Sequence, residues 1–193
     1  MISPGVAWES MASLYALPGV TDQALSLQDQ AGVSVSALLT LVVSASRGHG
    51  ALCPAAAVAV AESSEAFEAD VLRSLRRARN GLKRWFGGPR GEQAQMLRQS
   101  LLERELAAEG LEQMLILDML SEPGVLAPPD DPLADTCRSV ARYLTALGVS
   151  PSVFQQQSLA HILSAALEDY DGLHLARVLD AALQESRQAM GHG

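Results

Sequence analysis

The chain has 193 residues, 48% of them apolar but only 4% aromatic, so it is long enough for one domain with a core of Leu, Ala and Val packed between helices. A net charge of −8 and a pI near 4.9 argue against general nucleic-acid or membrane binding, because an acidic protein is repelled by phosphate at long range. With 19% charged residues and a mean hydropathy of +0.12 the polar surface is thin, which points to an interface.

The opening segment Met1-Ile2-Ser3-Pro4-Gly5 has no basic and apolar leader pattern, and the apolar runs 37–43 and 55–61 fall far short of the ~20 residues that span a bilayer. A cytoplasmic protein without a membrane span is expected. Cys53 and Cys137 are too few and too far apart for a secreted disulfide framework, so both are expected as free thiols.

An all-α fold of about eight helices is expected. A first helix spans about Val6 to Leu17, with Ala7, Met11 and Leu14 inward. It is followed by Gly19-Val20-Thr21, the first of three similar tripeptides; Gly32-Val33-Ser34 and Gly148-Val149-Ser150 are the others. In each, glycine suits the left-handed position after a last helical turn, valine packs back on that turn, and the hydroxyl residue can cap the next helix. A second helix then covers about 22–31. A third starts at a Ser34 cap and carries Leu38, Leu39, Leu41, Val42 and Val43 round most of its circumference, the mark of a buried central helix.

Pro54 fits the first position of a fourth helix that continues to about Phe86, with a kink or split expected at Ser63-Ser64. Its later part places Phe67, Val71, Leu72, Leu75, Ala78, Leu82 and Trp85 at helical spacing. Gly87-Gly88-Pro89 breaks it, and Glu92 to about Leu120 returns antiparallel with Leu97, Leu101, Ala108, Leu111, Leu115 and Met119 on one stripe. Residues 121–131, with Pro123-Gly124 and Pro128-Pro129, read as the linker. Three more helices follow: 132–147 with Leu133, Cys137, Val140 and Leu144 on one stripe, 151–170 capped by Ser150, and 173–190. The expected division is an N-terminal helical region 1–121, including a long antiparallel hairpin 54–120, and a C-terminal three-helix unit 132–193 packed with it as one domain.

Trp8, Tyr15-Ala16-Leu17-Pro18-Gly19-Val20, Leu27-Gln28-Asp29 and Gly32-Val33-Ser34-Val35-Ser36-Ala37-Leu38-Leu39 together resemble a family of uncharacterised helical proteobacterial proteins. Their pattern is a Trp, a helix ending Tyr-x-x-Pro-Gly-Val, a Leu-Gln-Asp, and a Gly-x-Asp-Val-Asn-x-Leu-Leu helix. The similarity covers roughly residues 7–120 and departs at Ser34 and Ser36, where the family tends to have Asp and Asn. The resemblance implies an all-helical bacterial protein and brings no activity or ligand with it.

No motif in the chain specifies catalysis. His49 and Cys53 share a loop but lack the second ligand pair of a structural metal site, so no metal or cofactor is expected. His161 and His174, with Glu168, Asp169 and Asp171 between them, fall around a helix–helix turn where carboxylates ordinarily act as caps. One stretch stands out. Residues 71–91 contain no acid and seven basic groups, Arg73, Arg76, Arg77, Arg79, Lys83, Arg84 and Arg90. Arg73, Arg76, Arg77, Arg79, Lys83, Arg84 and Trp85 are the candidate partner-binding residues. The bland alternative is internal pairing of these arginines with Glu103, Glu105, Glu109 and Glu112 of the returning helix.

The expected function is therefore non-catalytic: a helical protein–protein interaction or regulatory adaptor with a protein partner, a second copy of the chain included. A nucleic-acid-associated regulator using the basic face is the alternative, and an enzyme or small-ligand binder with an interhelical pocket comes third.

Overall fold

The computed structural model describes residues 3–190. Helices α1 (Pro4–Tyr15), α2 (Val20–Ala31) and α3 (Val35–Ser46) lead into α4 (Pro54–Phe67), a π-helical turn (Glu68–Leu72), α5 (Arg73–Gly81) and a 3-10 turn (Leu82–Trp85). Then come α6 (Gly91–Ser121), α7 (Pro132–Ala146), α8 (Val153–Ala166) and α9 (Gly172–Met190). With 54–85 counted as one interrupted helix, there are eight helices among the described residues. The fold is all-α, and the nearest thing to a strand is an isolated bridge between Leu52 and Leu126.

α3 is the central helix. Ten of its residues, Ser36 to Ala45, are buried, and it packs against α7, α1 and α6. Side chains on α1, α2, α3, α4, α6, α7, α8 and α9 join in one apolar cluster, with Val42, Val60, Cys137, Val140 and Leu175 fully enclosed. That composition follows from the scarcity of aromatics. Tyr143 is the exception among the large buried side chains, and its hydroxyl is satisfied by Ser64 Oγ at 2.9 Å.

The glycine tripeptides behave differently from one another. Gly19, Gly32 and Gly148 all have positive φ. Ser34 caps α3 as expected, its Oγ accepting from Ala37 N. Thr21 does not cap, because α2 already starts at Val20; its hydroxyl donates instead to Tyr15 O at 2.7 Å. Ser150 is also displaced as a cap. Ser152 takes that role in a reciprocal box with Gln155, which starts α8 two residues later than expected, at Val153.

The α-helical pattern of 54–85 is interrupted at the π-helical turn Glu68–Leu72, past Ser63-Ser64, whose Ser64 is engaged with Tyr143. Nor is the segment 121–131 a free linker. Cys53 N donates to Val125 O and Ala127 N to Ala51 O, each at 2.8 Å, so the loop is sewn to the α3–α4 connection. Gly50, at φ +92°, is required there, since a Cβ would strike the Ala127 carbonyl oxygen.

Candidate functional site

The hairpin forms where Gly88 and Gly91 turn the chain. A Cβ on Gly91 would collide with the Phe86 carbonyl, so glycine is what lets α6 start directly against the end of the preceding helix. α5 packs on α6 yet buries no residue, in contrast to the apolar stripe its sequence displays. What joins the two helices is charge.

Arg76 is at the centre of that joint. Its Nη1 reaches Glu68 at 2.7 Å, its Nε reaches Glu105 at 3.1 Å and its Nη2 reaches Glu109 at 3.0 Å. Arg79 also grips Glu105, with Nε and with Nη2, the latter at 3.1 Å. Two guanidinium groups thus serve three carboxylates. Burial works against the charged Arg76, but Glu68 and Glu109 outweigh it and raise its pKa above the ordinary value. Glu109 is raised as well, which for a carboxyl disfavours the charged form. Burial pushes its pKa up, Arg76 only partly opposes this, and Glu105 and Glu68 add to the rise. The two shifts agree physically, because Arg76, shared among three anions, is held firmly while Glu109, paired with that cation alone, is incompletely compensated.

The candidate residues therefore divide. Arg76 and Arg79 are internal partners of α6, as the bland alternative has it, although Glu68 replaces Glu103 and Glu112 among the acids. Arg73, Arg77, Lys83, Arg84 and Arg90 are exposed, and none makes an ion pair among the described residues. Trp85 is 58% exposed, with the Arg84 guanidinium 5.5 Å from its ring centroid. A shallow concavity of about 570 Å³ is lined by Ser74, Arg77, Ala78, Leu82, Arg84 and Trp85.

A second polar constellation lies deeper and is not evident from sequence. Glu112, 1% exposed, accepts hydrogen bonds from the hydroxyls of Ser34, at 2.9 Å, and Ser36. Among the described residues no cation makes an ion pair with it. Burial raises its pKa, the two hydroxyls partly offset this, and Glu68 and Glu109 add to the rise. Ser34 and Ser64 also line an open cleft of about 350 Å³ with Gly32, Glu65, Glu68 and Arg73, walled by the π-helical turn. A π-helical turn is a frequent companion of functional sites because it re-aims side chains out of helical register.

The histidines and cysteines are elsewhere. His161 Nε2 lies 3.0 Å from Pro18 O, and Asp171 caps α9 by accepting from His174 N at 2.9 Å. Cys137 is buried on α7, and burial pushes its thiol pKa up to about 12; Cys53 is half-buried. Among the described residues no group of three or more His, Cys, Asp or Glu is arranged to hold a metal ion, and no helix is long and apolar enough to cross a membrane.

The arrangement defines an all-helical protein with a charge-stapled hairpin on a central bundle. Residues 6–116 match the model of a family described as Protein of unknown function (DUF2390), and the chain belongs to that family. The matched region contains both the hairpin joint and Glu112. No curated protein and no solved structure matches the chain.

Proposed function

We propose that the protein is a non-catalytic helical interaction protein of the adaptor or regulatory kind, whose hairpin tip receives an acidic segment of a protein partner. The observation that supports this is the separation of the basic residues. Arg76 and Arg79 are consumed in the joint with α6, whereas Arg77 and Arg84 line a concavity with the exposed Trp85 and make no ion pair among the described residues. An exposed aromatic flanked by guanidinium groups is the composition of a protein-binding hot spot. A nucleic-acid partner is the alternative occupant. It is disfavoured because the whole molecule carries −8, which opposes phosphate at long range.

The test is affinity capture from native cells by the wild-type chain and by R77E/R84E/W85A, with the captured proteins identified and their binding remeasured with purified components. A single acidic protein, bound by the wild type and lost in the triple variant, is expected. Capture that is identical for both chains would overturn the reading, and so would tight duplex binding by the wild type at physiological salt.

A small-ligand function is favoured by one separate observation, the buried Glu112 held only by hydroxyls behind a cleft that Arg73 and Glu68 flank. Such a site suits a compact ligand with both hydrogen-bond donors and an anionic group. It ranks second because Glu112, 1% exposed, does not itself line the cleft.

A further inference from the structure

The stripe that runs along α6 does not face the core. The helix turns Ala94, Glu105, Glu112, Ile116 and Leu120 inward, and the flank beside them carries Leu97, Leu101, Arg104, Ala108, Leu111, Leu115 and Asp118, of which Leu101 and Ala108 are half-buried and the others exposed. Those positions repeat at alternating steps of four and three, the spacing of a helix seam that packs on another helix. Leu97, Leu111, Met114 and Leu115 are 53%, 46%, 43% and 40% exposed. An exposed leucine is ordinary by itself, but a row of them at seam spacing on a 31-residue helix is an uncovered contact face.

We propose that this face is covered by the same face of a second copy of the chain, antiparallel, with the two-fold axis at Leu111. The sequence of the stripe is complementary to its own reverse. A two-fold at Leu111 sets each residue before it against the one equally far beyond it in the partner copy. Ala107 and Ala108 then face Leu115 and Met114, small against large. Arg104 faces Asp118, and the same ion pair recurs at the other end of the contact. Both pairs lie about 10 Å from the axis, at 1.5 Å of rise per residue, so two charge pairs bracket one apolar patch.

A parallel pairing has none of this. It sets Arg104 against Arg104 and Asp118 against Asp118, crowds the large residues on themselves, and leaves the alanines opposite one another. The contact also lies away from the basic tip, so it stands independently of the partner reading above. One helix face is at the small end of specific interfaces, and two acidic copies repel beyond the screening length, so the association is expected in the micromolar range.

The experiment is sedimentation equilibrium of the full chain from about 1 to about 300 µM, a range that brackets such an affinity. The wild type converts from monomer to dimer. L111E remains monomeric at every concentration, with an unchanged circular dichroism spectrum and melting temperature because the position is exposed. R104D and D118R each weaken association by about tenfold or more, since each creates two like-charge contacts, and R104D/D118R restores it. The charge exchange is the decisive arm, because a parallel or unrelated dimer gives no rescue. A wild type that is monomeric throughout, a dimer indifferent to L111E, or singles that the double does not rescue would each overturn the proposal. R77E/R84E leaves the dimer intact, which separates this outcome from failure of the tip as a docking surface.

Discussion

Replacing Arg76 with methionine keeps the aliphatic stem and removes the cation shared by Glu68, Glu105 and Glu109, leaving Arg79 on Glu105. Truncating one partner of a fully buried pair costs about 3–5 kcal/mol, whereas an exposed pair is worth about 0–1 kcal/mol. The Arg76 side chain is 15% exposed and its three acids 6–25%, so the joint lies between these limits and nearer the first. A loss of about 2–3 kcal/mol is expected. For a chain of this size each kcal/mol lowers Tm by roughly 2–4 °C, so R76M melts roughly 4–12 °C below the wild type. R77A, one residue away but exposed and unpaired, stays within about 0.5 kcal/mol.

The pH dependence of that loss distinguishes charge from packing. A carboxylate whose folded pKa is raised binds more protons in the folded state, so its contribution to stability falls as pH rises from its unfolded value through the folded one. Glu109 is already raised, and without Arg76 it rises further. The R76M deficit is therefore largest at neutral pH and narrows as pH falls towards the unfolded value of 4.5. Calorimetry of R76M, R77A and the wild type at pH 7 and pH 5 measures this directly. If R77A is as damaging as R76M, or if the R76M deficit is independent of pH, the electrostatic account of the hairpin is wrong.

Glu112, raised by burial with no cation beside it, follows the same sign. E112Q should be at least as stable as the wild type at pH 7, with the difference closing near pH 4.5, and an E112Q chain that is much less stable at pH 7 would show that the ionised form is favoured. Cys137, with its thiol pushed up to about 12, should label with a maleimide only as the protein unfolds, and half-buried Cys53 should react first; equal native rates would contradict the packing of α7.

Local signals carried the fold far because most of its helix boundaries are set by local chemistry. Gly32 and Gly148 take positive φ beside helix ends, Pro54 opens α4, and Ser34 caps α3, all legible one turn at a time. The failures have a common form. Thr21 and Ser150 had competing hydrogen-bond opportunities, Tyr15 O for the first and the Ser152–Gln155 box downstream of the second, and local preference cannot rank them. The site was half legible for a similar reason. Residues 71–91 advertise a cation-rich helix, but which cations are spent depends on the angle at which α6 crosses, and the π-helical turn that turns Arg76 towards Glu105 and Glu109 has no sequence signature. Glu112 was read only as one of four acids that could pair with the arginines, and its actual partners are hydroxyls. Its partners Ser34 and Ser36 are 78 and 76 positions away, and a glutamate in a helix rich in glutamate looks like a solvated one.

α6 shows why periodicity alone misassigns a face. Its leucines repeat as cleanly as those of any core helix, yet the inward side carries Glu105, Glu112 and Gln113 along with Ala94, Ile116, Leu117 and Leu120, so the two faces are nearly equal in apolar content. Hydrophobic spacing establishes that a stripe exists, and something else decides which neighbour it meets. Here the inner face is selected by hydrogen-bonded and ionic partners on α3 and α5: Ser34 and Ser36 fix Glu112, and Arg76 and Arg79 fix Glu105. Each such group costs several kcal/mol if buried without its partner, which outweighs the preference of any one leucine for the interior. The polar residues thus orient the helix, and the leucine stripe is left outside as the surface most in need of a second protein chain.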